Sequence, residues 1–419
     1  MEMTKQCLRR WSLIGLVGLL ATACGSMRPN GPPDSLDCGL ARFVVRDIYE
    51  DWGVYRAKQL RLEALDDPNP SFNVLALSAG GEFGAYGAGF LSGWRSVGKG
   101  ARPGPRADIQ VVTGVSTGAI LATHAFLGKD AEIEAKYRSL AGNQIYRTRS
   151  LLELVRANSL LQADGKDLLI EDNLPGSVID EVVAAPEGRF LYIGVVDLDS
   201  GSFLRIDMRK LARTIEPKEL RNACYQAVIG ASSAIPIAFP PKFIDEMMLV
   251  DGGARRHLFI TELPKEAKFP GVARRLFSLV HGDLDVGCTK TKNGVLQIAG
   301  RSADLLTDQG FKDSIRLADS LASQPLDGGS GPPLLSTYYA AAADAAAACQ
   351  PERASCKSPA GTLSEDMFCN AFMNCLADRG KEDGRAYGSG QRQWLQLRDL
   401  NLSTQPNCQR STVQRRIAQ

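Results

Sequence analysis

Short apolar runs alternate with segments of helical length along most of the chain. The runs have the length and composition of buried strands, and they occupy residues 72–77, 109–113, 190–196, 242–250 and 276–280. Segments long enough for helices occupy residues 84–97, 117–127 and 131–140. Strands that alternate with helices pack as a mostly parallel sheet with helices on both faces. The pattern therefore predicts an α/β fold in which a mostly parallel central sheet is sandwiched by helices.

Two regions depart from this alternation. Residues 145–174 are helical in composition and lie between two strand candidates, so they form either a cap over a cleft or an ordinary crossover helix. Residues 332–394 contain a cluster of cysteines and the alanine-rich stretch YYAAAADAAAAC at 338–349, which predicts a helix. We expect a domain core over residues 38–290, with residues 291–419 packing on it as a helical, cysteine-rich extension.

The amino terminus has the pattern of an export signal. Lys5, Arg9 and Arg10 precede an uncharged apolar run at residues 11–20, as in the basic and hydrophobic regions of a secretory signal peptide. A transmembrane helix needs about 20 apolar residues, and this run is shorter. We predict that residues 1–23 are a signal peptide.

A cysteine follows the predicted signal peptide. Cys24 comes directly after Ala-Thr-Ala, which resembles the lipobox of bacterial lipoproteins, although lipoboxes usually carry Leu where this chain has Ala21. The resemblance implies that lipid, palmitate included, is attached to Cys24, with residues 24–37 as a flexible tether. Because Gly25 follows instead of an aspartate, we expect an anchor in the outer membrane of the bacterial envelope, facing the periplasm. The alternative is an ordinary secreted protein.

Composition narrows the partners further. Lys and Arg number 49 and Asp and Glu 47, so the chain lacks the basic excess typical of nucleic-acid binding, and none is expected. An even number of cysteines beyond Cys24 favours disulfides in an exported chain, although sequence does not give their pairing. They are Cys38, Cys224, Cys288, Cys349, Cys356, Cys369, Cys375 and Cys408. A zinc site is the alternative, but no histidine follows His281 and no paired CxxC occurs, so we predict disulfides and no metal.

The glycines after the first strand candidate invite comparison with nucleotide-binding loops. A P-loop ends in Gly-Lys-Ser/Thr, whose lysine reaches the phosphates, and this segment has no such ending. The dinucleotide fingerprint needs glycines at i, i+2 and i+5, a spacing that is not provided by Gly80, Gly81, Gly84, Gly87 and Gly89. We therefore expect neither a nucleotide nor another cofactor.

A G-x-S-x-G pentapeptide, from Gly114 to Gly118, stands between the second strand candidate and a helical segment. Its glycines permit a sharp strand-to-helix turn that lifts the Ser116 hydroxyl clear of the backbone, and the helix directs free N–H groups towards it. Ser116 is therefore the candidate nucleophile. Gly80 and Gly81 have no Cβ, so their amides can approach a substrate carbonyl and form an oxyanion hole, although tight helix–strand packing would also favour glycine.

A serine nucleophile also needs a base, and histidine is the usual one. His124 lies eight residues after Ser116 on the same predicted helix, about 12 Å along its axis and out of hydrogen-bond reach. His257 and His281 could approach only through tertiary contacts. A serine–histidine–aspartate triad is therefore the weaker hypothesis.

Asp251 is the stronger candidate for the base. It follows the apolar run MMLV and precedes Gly252 and Gly253, which places it at a strand end with a flexible turn beyond. A carboxylate at this position could accept the proton of Ser116 directly. By itself, Asp-Gly-Gly is also simply a favourable turn sequence.

Four motifs, taken in order, resemble those of the patatin-like phospholipases, which are lipid acyl hydrolases with a catalytic Ser–Asp dyad. They are the glycine-rich segment that ends at Gly84, the G-x-S-x-G motif, ASSAIPIAFPP at 231–241 and VDGG at 250–253. The resemblance covers residues 72–280 and extends more weakly to GRAYGSGQRQW at 384–394. It implies the patatin-like three-layer fold, related to the α/β-hydrolases. It also implies that Ser116 is the nucleophile, Asp251 the base, and Gly80 and Gly81 the oxyanion hole.

The glycine segment departs from the family pattern, which usually reads Gly-Gly-Gly-x-Arg-Gly. Ala79 replaces the first glycine and Phe83 replaces the arginine, so no arginine stands there to contact an anionic headgroup. Both residues of the dyad are present.

The resemblance implies a serine hydrolase of the phospholipase or lipase type, which acts on lipid or phospholipid acyl esters without a cofactor. One alternative is an acyltransferase on the same dyad, in which an alcohol replaces water. The other is a catalytically silent envelope lipoprotein that uses the fold as a binding module.

Overall fold

The computed structural model describes eleven stretches of the chain. They are residues 35–45, 71–97, 109–140, 147–148, 159, 161–162, 164–260, 273–282, 290–324, 335–356 and 368–396. The expected signal peptide, Cys24, most of the expected tether, Cys288 and Cys408 lie outside the described residues.

A mixed sheet forms the centre of the molecule. The strands are β1 Ser71–Leu77, β2 Val111–Val115, β3 Arg147–Thr148, β4 Leu161–Gln162, β5 Phe190–Asp197, β6 Ser202–Asp207, β7 Lys242–Ile244, β8 Met247–Asp251, β9 Ala273–Val280 and β10 Ser336–Ala341. Within the described residues, β3 and β4 pair with each other, and the others form one sheet of order β10–β9–β1–β2–β5–β8–β7 with β6 also paired to β5. The five strands from β10 to β5 are parallel, and β6, β7 and β8 pair antiparallel. The prediction of a mostly parallel sheet is confirmed.

Helices cover both faces of this sheet. They are α1 Gly84–Arg95, α2 Thr117–Leu127, α3 Asp130–Ser139, α4 Asp164–Asn173, α5 Gly176–Ala184, α6 Met208–Thr214, α7 Lys218–Ser232, α8 Val295–Ser323, α9 Ala343–Ala348, α10 Gln350–Ser355 and α11 Asn370–Ser389. Helices α1, α2, α7 and α11 contribute to the hydrophobic core on one face, and α8 contributes to the core on the other. The α/β architecture with a helical carboxyl-terminal region is therefore confirmed.

Strand β1 shows why the central runs are apolar at nearly every position. Leu75 and Leu77 belong to one core, and Phe72, Val74 and Ala76 belong to the other. Successive side chains of a strand point to opposite faces, so a strand covered on both sides must be apolar on both. The sequence therefore shows no alternation in this strand.

The register of the parallel strands brings two loops together. Leu77 at the end of β1 pairs with Gly114 near the end of β2 and with Leu279 near the end of β9. The glycine segment after β1 and the Ser116 turn after β2 therefore leave the sheet at the same edge. Ligands of open α/β sheets bind at this carboxyl edge.

The predicted strand at 242–250 is wrong, because the structure forms a hairpin there. Strands β7 and β8 pair antiparallel, and Asp245 in the turn between them has a φ of 53°. The Asp245 carboxylate accepts hydrogen bonds from the backbone N–H groups of Cys38, Gly39 and Leu40 at 2.6 to 2.9 Å. Contacts with a segment some 200 residues away thus accompany the turn, and a local apolar pattern does not reveal them.

The predicted alanine-rich helix at 338–349 is wrong in its first part. Residues Ser336–Ala341 form β10, which pairs parallel with β9, and only Ala343–Ala348 are helical. Alanine favours helices, but propensity is weak against a sheet edge that offers a full ladder of hydrogen bonds. Ala340 and Tyr339 are buried in this arrangement.

Glycines let α1 and α11 pack in close contact. A Cβ on Gly89 or Gly93 of α1 would lie 2.0 or 2.2 Å from a backbone oxygen of α11. A Cβ on Gly380 or Gly384 of α11 would lie 2.1 Å from a backbone oxygen of α1. The glycines that make α1 a poor helix by propensity therefore serve its contact with the carboxyl-terminal helix.

Disulfides join distant and local segments. The bonds are Cys38–Cys224, Cys349–Cys375 and Cys356–Cys369. Cys349 and Cys375 also lie near Glu352, but their sulfurs are bonded to each other and are not free thiolates for a metal. The prediction of disulfides is confirmed for these six cysteines.

The described part of residues 145–174 comprises β3, β4 and α4, together with Ser159 and Leu174. Helix α4 packs against α7, whose carboxyl-terminal end lies beside the candidate site. No helix among the described residues is long and apolar enough to cross a membrane.

Candidate active site

Ser116 occupies a sharp turn between β2 and α2. Its φ of 56° and ψ of −124° are rare for a residue with a side chain, and strained conformations of this kind cluster at functional sites. The flanking glycines fit the turn, because a Cβ on Gly114 would lie 2.5 Å from the Gly118 oxygen. A Cβ on Gly118 would lie 2.3 Å from the Leu77 oxygen. The local geometry is that of a nucleophile elbow.

Asp251 is the last residue of β8 and meets Ser116 within the fold. Its backbone pairs with Val195 of β5, the neighbour of β2. Its carboxylate accepts a hydrogen bond from the Gly253 N–H at 2.7 Å, and its interaction with the Ser116 hydroxyl acts to lower its pKa. Gly252 and Gly253 form the 3-10 turn that follows the strand. The two candidate residues, 135 positions apart in sequence (251 minus 116), are thus neighbours in the fold.

The end of α7 holds both residues in place. The Ser116 N–H donates to the Ser232 hydroxyl at 3.0 Å, and that hydroxyl donates to the Gly194 carbonyl oxygen at 2.7 Å. The Asp251 N–H donates to the Ala234 carbonyl oxygen at 2.9 Å. The ASSA part of the third motif therefore positions the nucleophile and the carboxylate relative to each other.

Burial sets the protonation of Asp251. It raises the pKa of the carboxyl from 3.8 to about 6, although hydrogen bonds from Ser116 and Gly253 and the charge of Lys166 act to lower it. A carboxylate with this pKa is ionised at neutral pH and is more basic than an exposed aspartate. Such a group is suited to act as a general base.

Lys166 is a buried cation beside these residues. Its ammonium donates to the Gly230 carbonyl oxygen at 3.0 Å and to the Ser233 hydroxyl at 3.5 Å. It also lies over the Phe239 ring, 5.1 Å from the centroid. Burial lowers the pKa of Lys166 to about 8, so the group is still mostly charged at neutral pH. Its charge favours the ionised form of Asp251.

The glycine segment adopts backbone conformations that suit glycine. Gly80 has a φ of 153° and Gly81 a φ of 55°. Gly81 lines the same pocket as Ser116. Gly84 begins α1 and lies against the start of α2, where a Cβ would meet the Thr117 hydroxyl at 2.0 Å. The segment thus brings backbone rather than side chains to the nucleophile.

A largely apolar pocket opens beside Ser116. It encloses about 570 Å3 of empty space, its open mouth included. Its polar lining includes Ser116, Lys166 and Ser233. Its apolar walls come mainly from Ile120, Leu140, Leu169, Ile170, Ile235 and Phe239. A hydrocarbon chain fits such a lining, because its burial there removes apolar surface from water.

Comparison with known proteins identifies the domain. Residues 75–263 match the family model described as patatin-like phospholipase. These residues form a patatin-like domain. The match supports a lipid acyl hydrolase, and it spans all four motifs of the sequence. The weaker resemblance at residues 384–394 lies outside it.

Solved structures give only distant likenesses to the chain that carries this patatin-like domain. VipD from Legionella pneumophila is 12% identical with a TM-score of 0.33, over 78% of this chain and 68% of that one. Human GIVD cytosolic phospholipase A2 in complex with methyl gamma-linolenyl fluorophosphonate is 11% identical with a TM-score of 0.35, over 87% and 67%. At these values the likenesses carry no argument about function. No curated protein matches the chain.

The histidines of the patatin-like domain and its surroundings are buried away from the nucleophile. Burial lowers the pKa of His124, His257 and His281 to about 4, so all three are neutral at pH 7. His257 stacks on Phe311 at 4.1 Å, and the Nδ1 of His281 lies 2.7 Å from a backbone carbonyl oxygen. Among the described residues, no histidine ring is hydrogen-bonded to Ser116.

Two contributors to the patatin-like site escape sequence reasoning. Ser232 lies inside the third motif, but the motif by itself gives the serine no hydrogen-bonding role. Lys166 lies in a segment of helical composition with no distinguishing pattern, so nothing in the sequence separates it from a surface lysine. Both are recognised only from their tertiary contacts.

Proposed function

We propose that the protein is a serine lipid acyl hydrolase of the phospholipase or lipase type, with Ser116 as nucleophile and Asp251 as base. The observation that carries the proposal is that the Ser116 hydroxyl lies beside the buried Asp251 carboxylate and interacts with it, next to an apolar pocket. The strained serine turn and the raised pKa of Asp251 support the same roles.

In the proposed acylation step, Ser116 Oγ attacks the carbonyl carbon of an acyl ester while Asp251 accepts its proton. The amides of Gly80 and Gly81 stabilise the oxyanion that forms on the carbonyl oxygen. The tetrahedral intermediate then expels the alcohol or lysolipid, which takes the proton from Asp251. The acyl group is left bonded to Ser116.

Deacylation repeats these roles with water in place of serine. Asp251 accepts a proton from the water as its oxygen attacks the acyl carbon. Collapse of the second intermediate releases the fatty acid, and the proton returns from Asp251 to Ser116 Oγ. The apolar walls of the pocket hold the hydrocarbon chain throughout, which favours lipid esters over small polar ones.

Hydrolysis of p-nitrophenyl esters and phospholipids by five variants and the wild type tests this proposal. We expect Ser116→Ala and Asp251→Asn to lose activity by about 10³-fold or more, as when nucleophile or base is removed from other serine hydrolases. We expect His124→Ala, His257→Ala and His281→Ala to retain it. A histidine variant as inactive as Ser116→Ala would support a triad, and an inert wild type with no labelling by a fluorophosphonate would support a silent binding module.

We further propose that residues 1–23 are removed and that Cys24 is lipidated and anchors the protein in the outer membrane. The basic, apolar and small-residue order before Cys24 supports this. In a bacterial host, the full-length protein should incorporate radioactive palmitate and sediment with outer membranes, and Cys24→Ala should do neither. Equal sedimentation of the two proteins would contradict the anchor.

A further inference from the structure

Glu82 connects the glycine segment to the carboxyl-terminal region. One carboxylate oxygen accepts a hydrogen bond from the Arg353 guanidinium at 2.5 Å, which is also an ion pair. The other oxygen accepts a hydrogen bond from the Phe368 N–H at 2.8 Å. The Glu82 side chain is only 11% exposed, so solvent screens these two bonds little. Glu82 directly follows Gly81, which lines the pocket beside Ser116.

The two partners of Glu82 are held by a disulfide. Arg353 lies on α10, which ends just before Cys356. Cys356 is bonded to Cys369, the residue next to Phe368. The cross-link thus ties together the two segments that carry Arg353 and Phe368.

Aromatic contacts reinforce the same junction. Phe83, which stands where the family usually has arginine, packs edge-on against Phe372 of α11 with ring centroids 5.8 Å apart. The Arg353 guanidinium lies over the Phe372 ring, 5.0 Å from its centroid. Phe83 in place of arginine therefore accompanies a contact with α11, which lies outside the residues 75–263 that match the family model.

Phe368 also reaches the substrate pocket. Its side chain lines the cavity that contains Ser116, although it lies more than 100 residues beyond the stretch 75–263 that matches the family model. Its φ of 59° is unusual for a phenylalanine. The neighbouring disulfide and the hydrogen bond to Glu82 hold the backbone at this point.

We propose that the carboxyl-terminal region completes the acyl site, with Glu82 as a positioning residue for the oxyanion-binding backbone and Phe368 as a wall that sets acyl-chain preference. The inference rests on the proposed hydrolase function and deepens it. Glycine backbone samples many conformations, so amides at Gly80 and Gly81 stabilise an oxyanion well only when a neighbour holds them. The charge-assisted bonds of Glu82 provide that restraint.

The two roles predict different kinetic effects. Glu82→Ala and Arg353→Met loosen the glycine segment, so kcat should fall about 10- to 100-fold on butyrate and laurate esters alike, with little change in KM. Phe368→Ala removes a wall of the pocket. It should raise KM for the laurate ester by about threefold or more, because the lost burial of one methylene is worth about that much. KM for the butyrate ester should change by less than about twofold.

The experiment measures kcat and KM on both esters for the full-length protein in detergent. Sites are counted by end-point titration of Ser116 with a fluorophosphonate, so unfolded molecules do not lower kcat. Arg379→Met is the matched control, because Arg379 forms an exposed ion pair on α11 and lies in neither contact. The double variant Glu82→Ala/Arg353→Met should be about as slow as the slower single variant, since both changes break one interaction.

The outcomes separate this inference from the function on which it rests. If Ser116→Ala keeps full activity, the proposed hydrolase mechanism is wrong. If Ser116→Ala is inactive but Glu82→Ala and Arg353→Met stay within about twofold of the wild type, the positioning role is wrong and the hydrolase stands. Should Glu82→Ala fail to fold, Arg353→Met still tests the positioning role, because it changes no residue of the glycine segment itself. If Phe368→Ala leaves the preference between laurate and butyrate esters unaltered, the proposed role of Phe368 is wrong.

Discussion

At the scale of single residues, the burial of Asp251 suits it to the proposed role of base, because burial makes the carboxylate more basic. An exposed aspartate with an ordinary pKa is a weak proton acceptor, whereas burial raises the pKa of Asp251 to about 6. Lys166 and the hydrogen bonds from Ser116 and Gly253 lower this pKa enough to keep the group ionised at neutral pH. The Asp251 carboxylate is thus more basic than an exposed one and still ionised at neutral pH.

Activity should depend on pH through this carboxylate. Only ionised Asp251 accepts a proton, so kcat/KM should fall as the pH drops through about 6, approaching tenfold per unit below it. Lys166→Met removes a charge that lowers the pKa of Asp251, and should move this acid limb to higher pH. Lys166→Arg keeps the charge and serves as the control. Identical limbs in the wild type and Lys166→Met would show that Lys166 has no such influence.

The free energy of unfolding should also depend on Asp251, but higher pH, which favours activity, should lower stability. Because the pKa in the folded protein exceeds the 3.8 of an unperturbed aspartate, the folded state resists ionisation and becomes less stable as the pH rises from about 4 to above 6. The penalty reaches up to about 3 kcal/mol. Asp251→Asn should therefore be inactive but more stable than the wild type at about pH 8, and by much less at about pH 4, in urea unfolding. An equal difference at both pH values would contradict this account.

At the scale of elements, the contact between α1 and α11 depends on glycines that helix propensity disfavours. Each of these glycines costs up to about 1 kcal/mol relative to alanine within a helix. Glycine is needed at these positions because backbone oxygens of the partner helix occupy the space that a Cβ would fill. Helix α1 follows the glycine segment directly, so this contact also orients the candidate oxyanion hole.

Replacing one of these glycines should separate the two helices. A Cβ on Gly384 would lie 2.1 Å from the Phe90 oxygen, so we expect Gly384→Ala to lower the free energy of unfolding by about 2 kcal/mol or more. Gly300 of α8 is the matched control, because it is exposed and a Cβ there meets nothing within 4 Å. Gly300→Ala should raise stability by up to about 1 kcal/mol. Thermal unfolding of both variants tests this prediction. If Gly384→Ala stabilises the protein, α1 and α11 are not packed as closely as described.

At the scale of the whole molecule, a disulfide and a carboxylate join the start of the domain core to its second half. Cys38 is bonded to Cys224 of α7, 186 residues away. The Asp245 carboxylate binds three successive N–H groups of the same amino-terminal segment. Helix α7 also carries Ser232, so the cross-link reaches the helix that positions the nucleophile.

Loss of this long-range cross-link should cost more than loss of a short one. Opening a loop of 186 residues restores more chain entropy to the unfolded state than opening one of 13. The difference is about 2 kcal/mol in the chain-entropy account. Cys38→Ser/Cys224→Ser should therefore unfold in less urea than Cys356→Ser/Cys369→Ser, each measured against the wild type. The reverse order would show that native-state contacts, not chain entropy, dominate.

Local patterns were sufficient for much of the fold. The continuous apolar runs at β1, β2, β5 and β9 predict buried strands within two or three residues at each end, because strands covered on both faces must be apolar throughout. Helix α2 begins and ends where the sequence predicts it, since its length and its glycine boundary are local features. The hairpin of β7 and β8 and the strand β10 were missed, because pairing partners from elsewhere decide them.

The sequence by itself determined most of the elements, the formation of disulfides and the identity of the candidate nucleophile and base. These depend on residue type and short spacing, which are local. Only the tertiary structure decided that Ser116 and Asp251 lie together, that Ser232 and Lys166 are beside them, and that Phe368 lines the pocket of Ser116. Contacts between residues more than 100 positions apart depend on sheet order and helix packing, and no local pattern encodes either.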